Sequence, residues 1–317
     1  MNAIVDIIVP VFGMMAVGYA LGRTLLSAEG LRGLVNVTFY ALFPALLFRS
    51  TATMRLDAVD PTILLVFFGA VIALYFLMMP LGRALGMSLG DQTIFALSGT
   101  FSNGVGIGIP FIAYAFGPDG LVPLLMIISL HSLIMLTLAS FMMEIATQGS
   151  SRRLLAKLGS AAFNMLKHPV IPPIILGLIW AEIARHVPGL AIPRVADQVL
   201  QALGTAAPPC GLIMTGASLA HVGLKGNWQT AAVASAFKLT VLPLLVWLVG
   251  RYVFPLDPLW LTVATLNSAL PAGTNVYMIA QLYGSAVGRA TNAVVISTTL
   301  SVATLSVALL LLDVQSR

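Results

Sequence analysis

The chain has 317 residues, of which 59% are hydrophobic and only 9% are charged, with a formal net charge of +5. A soluble domain carries roughly a quarter charged residues, so this composition excludes a soluble globular protein and indicates an integral membrane protein. The positive charge lies almost entirely between apolar runs, where it reports membrane topology, so nucleic acid is excluded as the expected partner. A single cysteine, Cys210, excludes an internal disulfide and a CxxC metal site.

The apolar runs predict about ten membrane spans, because each is long enough to cross the bilayer as a helix and too long for a barrel strand. The first run has no basic segment before it and no small-residue cleavage site after it, so we expect it to remain as the first helix. The sequence therefore predicts an all-α membrane protein. In chain order the spans cover 4–22, 31–54, 62–82, 91–116, 119–145, 169–186, 198–220, 228–250, 258–283 and 288–312.

A basic connection at 151–168 divides these spans into two sets of five, in residues 1–150 and 169–317. An odd number of spans in each half places the halves in opposite orientations, which is the condition for an inverted repeat. Short matches between the halves agree with this count: Phe43-Pro44 interrupts the second span as Pro208-Pro209 interrupts the seventh. The sequence predicts two inverted five-helix repeats.

Basic residues indicate the orientation, because connections on the inner side of a membrane carry an excess of Lys and Arg. With both termini outside, nine of them fall on the inner side and six on the outer side, which favours this orientation in the cell inner membrane. The inner set is Arg23, Arg32, Arg83, Arg152, Arg153, Lys157, Lys167, Lys225 and Arg289, and the outer set is Arg49, Arg55, Arg185, Arg194, Arg251 and Arg317.

Two stretches interrupt the fourth and ninth spans with helix-breaking residues. They are Thr100–Pro110, TFSNGVGIGIP, and Asn267–Asn275, NSALPAGTN. Glycine backbones are too free for a helix, and proline lacks the N–H and clashes with the preceding turn. An unwound backbone in lipid needs protein or a water-filled cavity to satisfy its polar groups, so we expect the breaks to share a polar cavity. The alternative, that Gly and Pro only kink the spans, leaves the Asn, Ser and Thr content unexplained.

We expect this cavity to bind an anion, because the free N–H groups and positive dipole ends of half-helices converge there. The polar side chains of the breaks add groups that can hold a carboxylate. The alternative for each is that it only caps the helix that begins there, and for Thr274 and Asn275 the two alternatives are equally favoured. The predicted substrate-binding residues are Ser102, Asn103, Asn267, Ser268, Pro271, Thr274 and Asn275, and the helix-breaking residues are Gly104, Gly106, Gly108, Pro110 and Gly273.

Two ionisable side chains lie near span centres, where a charge is costly and usually functional. Lys238, in the eighth span, either contacts the substrate or is a tether to a carbonyl or helix C-terminus. His131, in the fifth span, is either a neutral residue hydrogen-bonded between helices or a proton carrier. None of the 11 acidic residues lies at a span centre, so the cavity is expected to prefer anions.

Four motifs resemble the auxin efflux carrier family of membrane transporters in their order and spacing. The resemblance extends over essentially the whole chain, and the short central connection is similar to that of the bacterial-type members. The motifs are Tyr40–Phe48 (YALFPALLF), Asn103–Pro110 (NGVGIGIP), Lys238–Pro243 (KLTVLP) and Ala269–Gly273 (ALPAG).

The resemblance implies a fold like that of the bile-acid symporters, with a scaffold of spans 1, 2, 6 and 7 and a transport domain of spans 3–5 and 8–10. The broken fourth and ninth spans cross in this fold, and Asn103 would contact a substrate carboxylate. The proline that precedes this asparagine in the auxin carriers is Ser102 here, whereas the proline of the ninth span is present as Pro271. A second copy of the chain, packed through the scaffold, is a candidate partner.

Together these features predict a secondary transporter of small organic anions that works by elevator-type alternating access, without a cofactor or metal. Motifs for nucleotide binding and for hydrolytic catalysis are missing from the sequence, so an enzyme is not expected. The alternative is a membrane sensor that binds an anion without moving it. Malonate-like dicarboxylates, other carboxylates and auxin-like aromatic acids all fit, and the coupling ion and the direction of transport stay open.

Overall fold

A computed structural model describes residues 4–54, 60–147, 169–187, 189–221 and 228–314. Within these ranges the chain forms 11 helices and no strand, which confirms the all-α prediction. In chain order the helices are α1 (Val5–Thr24), α2 (Ala28–Ala52), α3 (Thr62–Ala84), α4 (Leu89–Ser98), α5 (Gly104–Ala146), α6 (Ile171–His186), α7 (Arg194–Ala220), α8 (Trp228–Val253), α9 (Pro258–Ala269), α10 (Asn275–Tyr283) and α11 (Val287–Leu311).

Six of the described helices are long and apolar enough to cross a membrane, namely α1, α2, α3, α5, α8 and α11. Helix α5 has 43 residues and bends at Gly117, where φ is 62° and ψ is −152°, so it contains the end of the fourth predicted span and all of the fifth. Helices α4, α9 and α10 have only 10, 12 and 9 residues, because the two breaks divide the fourth and ninth spans. A multi-pass membrane protein is confirmed, and the number of ten spans stays a prediction.

Five helical turns in the described residues are widened to π-helical geometry, and each ends two residues before a proline. Proline lacks an N–H, and its ring clashes with the carbonyl four residues earlier, so an extra residue in the turn moves that carbonyl away. The proline-containing helices therefore continue through a local bulge. The widened turns are Ile4–Ile8, Thr38–Leu42, Gly104–Gly108, Phe237–Val241 and Val249–Val253.

Glycine residues let the helices of the predicted scaffold approach to backbone contact. In α1, a Cβ atom added at Gly18 would lie 2.1 Å from the carbonyl oxygen of Ile213 in α7. In α6, a Cβ atom added at Gly177 would lie 1.9 Å from Oγ1 of Thr51 in α2. Small residues at such contacts favour association of membrane helices, because they allow close van der Waals packing without a hydrophobic driving force.

Two ion pairs join helix ends that are distant in sequence. Arg49 in α2 donates from Nε to Oδ1 of Asp197 in α7 at 2.7 Å and from Nη2 to Oδ2 at 3.2 Å. Asp91 in α4 accepts from Nη1 of Arg289 at 3.1 Å and from Oγ of Ser285 at 2.7 Å. Both pairs are partly exposed, so each fixes the register of its helices more than it stabilises the fold.

Much of the evidence for orientation lies outside the described residues. This applies to both chain termini and to the central connection at 151–168, so the domain limits and the orientation stay predictions. The basic residues concerned are Arg55, Arg152, Arg153, Lys157, Lys167, Lys225 and Arg317.

We expect the substitution Gly18→Ala to lower the melting temperature of the purified protein, because the new methyl group would overlap the Ile213 carbonyl and separate α1 from α7. Overpacking of this kind typically costs about 1–3 kcal/mol. Gly13 lies in the same helix with nothing within 4 Å of an added Cβ, so Gly13→Ala is the matched control. Thermal unfolding in detergent measures both, and equal melting temperatures would contradict the close approach of the two helices.

Candidate functional site

The two predicted breaks lie against each other as an antiparallel pair of short extended segments. The N–H of Asn103 donates to the carbonyl of Pro271 at 2.8 Å, and the N–H of Gly273 donates to the carbonyl of Phe101 at 3.1 Å. Each unwound segment therefore satisfies backbone groups of the other, which a membrane interior requires. This pair of segments, residues 101–103 and 271–273, is termed the crossover.

Helix α5 begins directly after the crossover, and Asn103 caps it. The side-chain Oδ1 of Asn103 accepts the N–H of Gly106 at 3.1 Å, as expected for an asparagine at this position. Its side chain also lines a cavity, and Nδ2 has no hydrogen-bond partner among the described residues. Asn103 therefore fills the capping role with its oxygen and leaves its amide N–H₂ group available for a ligand.

Helix α10 also begins directly after the crossover. Thr274 occupies its capping position, but the side chain makes no capping hydrogen bond. Thr274 is exposed, Asn275 is partly buried, and both line the same cavity as Asn103. The capping alternative is therefore not realised at Thr274, and two helix N-termini with free polar side chains border one cavity.

This cavity has a volume of about 270 Å³ and opens between α2, α5, α7, α10 and α11. Eight of the residues singled out from the sequence line it: Ser102, Asn103, Gly104, Gly106, His131, Gly273, Thr274 and Asn275. Pro271 belongs to the crossover but does not line the cavity. The others also lie outside the cavity wall: Gly108, Pro110, Lys238, Asn267 and Ser268.

Asn267 is fully buried, and neither Oδ1 nor Nδ2 has a hydrogen-bond partner in the described part of the chain. Its Oδ1 points towards the beginning of α5, since a Cβ atom added at Gly104 would lie 3.2 Å from it. A buried amide without hydrogen bonds costs roughly 1–3 kcal/mol of folding free energy, so Asn267 lowers the stability of the fold. Asn267 thus lies beneath the site and does not contact the cavity.

Sequence reasoning did not find the contribution of α7 to the cavity wall. Met214, Thr215 and Ser218 line the cavity from this helix. The Oγ1 of Thr215 lies 3.1 Å from the carbonyl oxygen of Gly106, at the first turn of α5. A hydroxyl pair three residues apart lies on one face of a helix, so the spacing of Thr215 and Ser218 was a signal that sequence analysis could have used.

His131 packs its imidazole against the ring of Phe101, with centroids 4.6 Å apart, and edge-on against Phe67 at 5.4 Å. It lines the cavity, and its buried Nε2 has no partner among the described residues. The expected hydrogen bond between helices is therefore not made by this nitrogen. The stacking holds the imidazole beside the crossover, because Phe101 belongs to it.

Lys238 is fully buried, and its Nζ donates to the carbonyl of Ser268 at the end of α9. It does not line the cavity. This contact corresponds to the tether alternative, in which the ammonium group binds a carbonyl at a helix C-terminus. Lys238 therefore lies outside the cavity wall, bound to the end of α9.

A second cavity, of about 460 Å³, lies between α2, α5 and α6. Its wall is almost entirely apolar, and its two hydroxyl side chains, Thr51 and Ser129, donate to carbonyls of their own helices. It offers neither a charge nor a free donor to an anion. The crossover cavity is therefore the candidate substrate site.

Comparison with known proteins shows the family of this chain. A family model described as a membrane transport protein matches residues 3–309, nearly the whole chain. The chain belongs to this family, the auxin efflux carrier-like membrane transporters. This family member is also 28% identical over 309 residues to a protein of Rhizobium meliloti (strain 1021) that is named, provisionally, a malonate transporter. The alignment covers 96% of this chain and 95% of that protein.

In this transporter, Asn103→Ala should lower the melting temperature, because the N–H of Gly106 loses its acceptor at the start of α5. Loss of such a cap typically costs about 0.5–2 kcal/mol. Asn103→Ser keeps a capping oxygen and should unfold close to the parent protein. A serine variant that is as unstable as the alanine variant would show that the cap does not explain the asparagine.

Proposed function

We propose that this protein is a secondary transporter that moves small organic anions, of the carboxylate class, across the cell inner membrane. The observation that carries the proposal is the cavity beside the crossover, where α5 and α10 both begin. The positive dipole ends of two helices meet there with the free amide of Asn103. No aspartate or glutamate is among the described residues of the cavity wall, so nothing in that wall repels a carboxylate.

A short dicarboxylate is the substrate that we favour. The cavity volume of about 270 Å³ lies at the lower end of ligand pockets, which suits a small molecule better than an aromatic acid. The N–H groups at the beginning of one helix can bind one carboxylate of such a molecule, and those of the other helix can bind the second carboxylate. The similarity to a protein named for malonate supports the same class.

For the architecture we propose ten spans in two inverted repeats, as in the bile-acid symporters. The glycine contacts support this arrangement, because they join spans 1 and 7 through Gly18 and spans 2 and 6 through Gly177. An inverted repeat that relates span 1 to 6 and span 2 to 7 converts one of these contacts into the other. The antiparallel crossover of the fourth and ninth spans has the same symmetry.

For the mechanism we propose an elevator-type movement of spans 3–5 and 8–10 against a scaffold of spans 1, 2, 6 and 7. The cavity has walls from both groups, since α2 and α7 face α5, α10 and α11 across it. A substrate held at the crossover would travel with the moving group, and the contact between Thr215 and Gly106 would break during each cycle. A homodimer through the scaffold would hold that group fixed in the bilayer.

The variants Asn103→Ser and Asn103→Ala separate anion binding from helix capping. We expect both to lose roughly ten- to a hundredfold in malonate affinity, because a hydrogen bond to a charged partner contributes about 1.5–3 kcal/mol. Isothermal titration with malonate measures this loss. Asn36→Ser, at an exposed position of α2 that does not line the cavity, is the matched control and should bind like the parent. A serine variant with unchanged affinity would remove the Asn103 amide from the site.

Uptake of labelled malonate into proteoliposomes separates transport from the alternative of a membrane sensor. A transporter should accumulate or exchange the label, and Asn103→Ser should abolish this at low substrate concentration. Malonate binding without any uptake or exchange would identify a sensor.

A further inference from the structure

The break in α9 removes the normal hydrogen-bond donor from one carbonyl at the end of this helix. In a continuous α-helix the carbonyl of Ser268 would accept the N–H of Ala272, four residues later. Here that N–H donates to Oγ of Ser297 in α11 at 3.0 Å. The carbonyl of Asn267 loses its usual donor at Pro271, which has no N–H, and accepts the N–H of Leu270 at 3.4 Å instead. At the negative end of α9 the carbonyl of Ser268 is therefore the one whose helical donor is used elsewhere.

The Lys238 ammonium group supplies the missing donor from a different helix. Its Nζ donates to the Ser268 carbonyl, and the side chain is fully buried. A widened turn at Phe237–Val241, before Pro243, carries it. Its partner is thus a backbone carbonyl at a helix end, with no carboxylate within salt-bridge distance among the described residues.

Acidic groups that could neutralise Lys238 lie elsewhere in the described part of the chain. The buried acidic residue there, Glu144, lies near the end of α5, where the hydroxyl of Tyr283 is 3.5 Å from its Oε1. Asp91 is bound to Arg289 and Ser285 at the beginning of α4. The ammonium group therefore faces backbone dipoles instead of a fixed negative charge.

Carbonyl oxygens at the ends of broken membrane helices are the groups that coordinate Na⁺ in cation-coupled transporters. The Ser268 carbonyl at the end of α9 has this chemistry. The same helix carries two further buried oxygens without a partner among the described residues, Oγ1 of Thr265 and Oδ1 of Asn267, and neither is hydrogen-bonded to Nζ of Lys238. We propose that the Lys238 ammonium occupies a cation site at the carbonyl end of α9, so that anion binding requires no Na⁺. This proposal deepens the proposed function and rests on it.

A covalently held cation has a direct consequence for the site. It covers the negative end of α9 while the positive ends of α5 and α10 remain open to the cavity. Because the Lys238 amino group is part of the chain, it stays on that side of the crossover throughout the proposed cycle, and no metal ion has to enter or leave with the substrate. Removal of the ammonium group should instead create a vacancy that a small cation can fill.

The test compares Lys238→Ala, which vacates the space, with Lys238→Met, which fills it with an uncharged chain of similar length. Malonate binding is measured by titration in sodium chloride, in propylammonium chloride and in choline chloride at equal ionic strength. The parent protein should bind with the same affinity, within about twofold, in all three salts. The alanine variant should bind roughly ten- to a hundredfold more weakly in choline and recover most of this loss in sodium or propylammonium. The methionine variant should be weak in all three.

A second measurement does not involve the anion. In the absence of malonate, sodium or propylammonium should raise the melting temperature of Lys238→Ala relative to choline, because a ligand that binds only the folded state stabilises it. Neither cation should do so for Lys238→Met. This melting-temperature measurement tests the cation site even if the parent protein binds no carboxylate. Absence of carboxylate binding would overturn the proposed function and leave the cation site to be judged by the melting temperatures.

Three outcomes would overturn the cation site. One is a parent protein that needs Na⁺ for malonate binding. This result requires no variant, so it tests the proposed cation site even if Lys238→Ala does not fold. Another is an alanine variant that binds in choline as tightly as the parent. The third is an alanine variant whose affinity and melting temperature respond to neither cation, which would leave Lys238 as a structural tether only.

Discussion

The structure depends on the two reciprocal hydrogen bonds between Asn103 and Pro271 and between Gly273 and Phe101. Unpaired backbone groups are not tolerated within a bilayer unless protein or water satisfies them, so neither helix break could exist alone at this depth. Each break is the partner of the other. The close approach also explains Gly273, because a Cβ atom there would lie 2.8 Å from the ring of Phe101.

The ends of the broken helices are treated differently on the two sides of the crossover. The carbonyl end of α4 is satisfied locally, where the hydroxyl of Thr100 donates to the carbonyl of Ala96 at 2.7 Å. The carbonyl end of α9 receives the ammonium group of Lys238. Both negative ends are therefore covered, whereas the amide ends of α5 and α10 border the cavity. We propose that this asymmetry gives the cavity a preference for anions without a positively charged side chain among its described wall residues.

The packing on either side of the cavity suits the proposed movement. Helices α1 and α7, and α2 and α6, meet at glycine contacts where a Cβ atom would overlap the neighbouring helix, so each pair is a firm unit. Across the cavity, Oγ1 of Thr215 lies 3.1 Å from the carbonyl oxygen of Gly106 and 2.8 Å from that of Gly211 in its own helix, so its one proton can serve either acceptor. The two groups also share buried apolar side chains, such as Phe43 of α2 and Phe111 of α5, so the proposed movement would slide apolar surfaces past each other.

The sequence by itself determined the membrane class, the helical fold, the family and the positions of the two breaks. The composition and the length of the apolar runs indicate directly which segments cross the lipid bilayer. Gly and Pro disturb a helix wherever they occur. The sequence also singled out Asn103, which the structure places in the cavity wall, because a polar amide beside a helix start is unusual in an apolar segment. These features are local, so they can be read from neighbouring residues along the chain.

Only the tertiary structure decided which polar residues face the cavity. Asn103 and Asn267 have the same side chain in equivalent breaks, yet one lines the cavity and the other is buried beneath it. Thr215 enters the site, and Lys238 reaches Ser268 instead of the cavity. Each of these outcomes depends on which helix packs against which face. Spacing along one helix cannot supply that information, because the partners are distant in the chain and meet only when the two halves fold together.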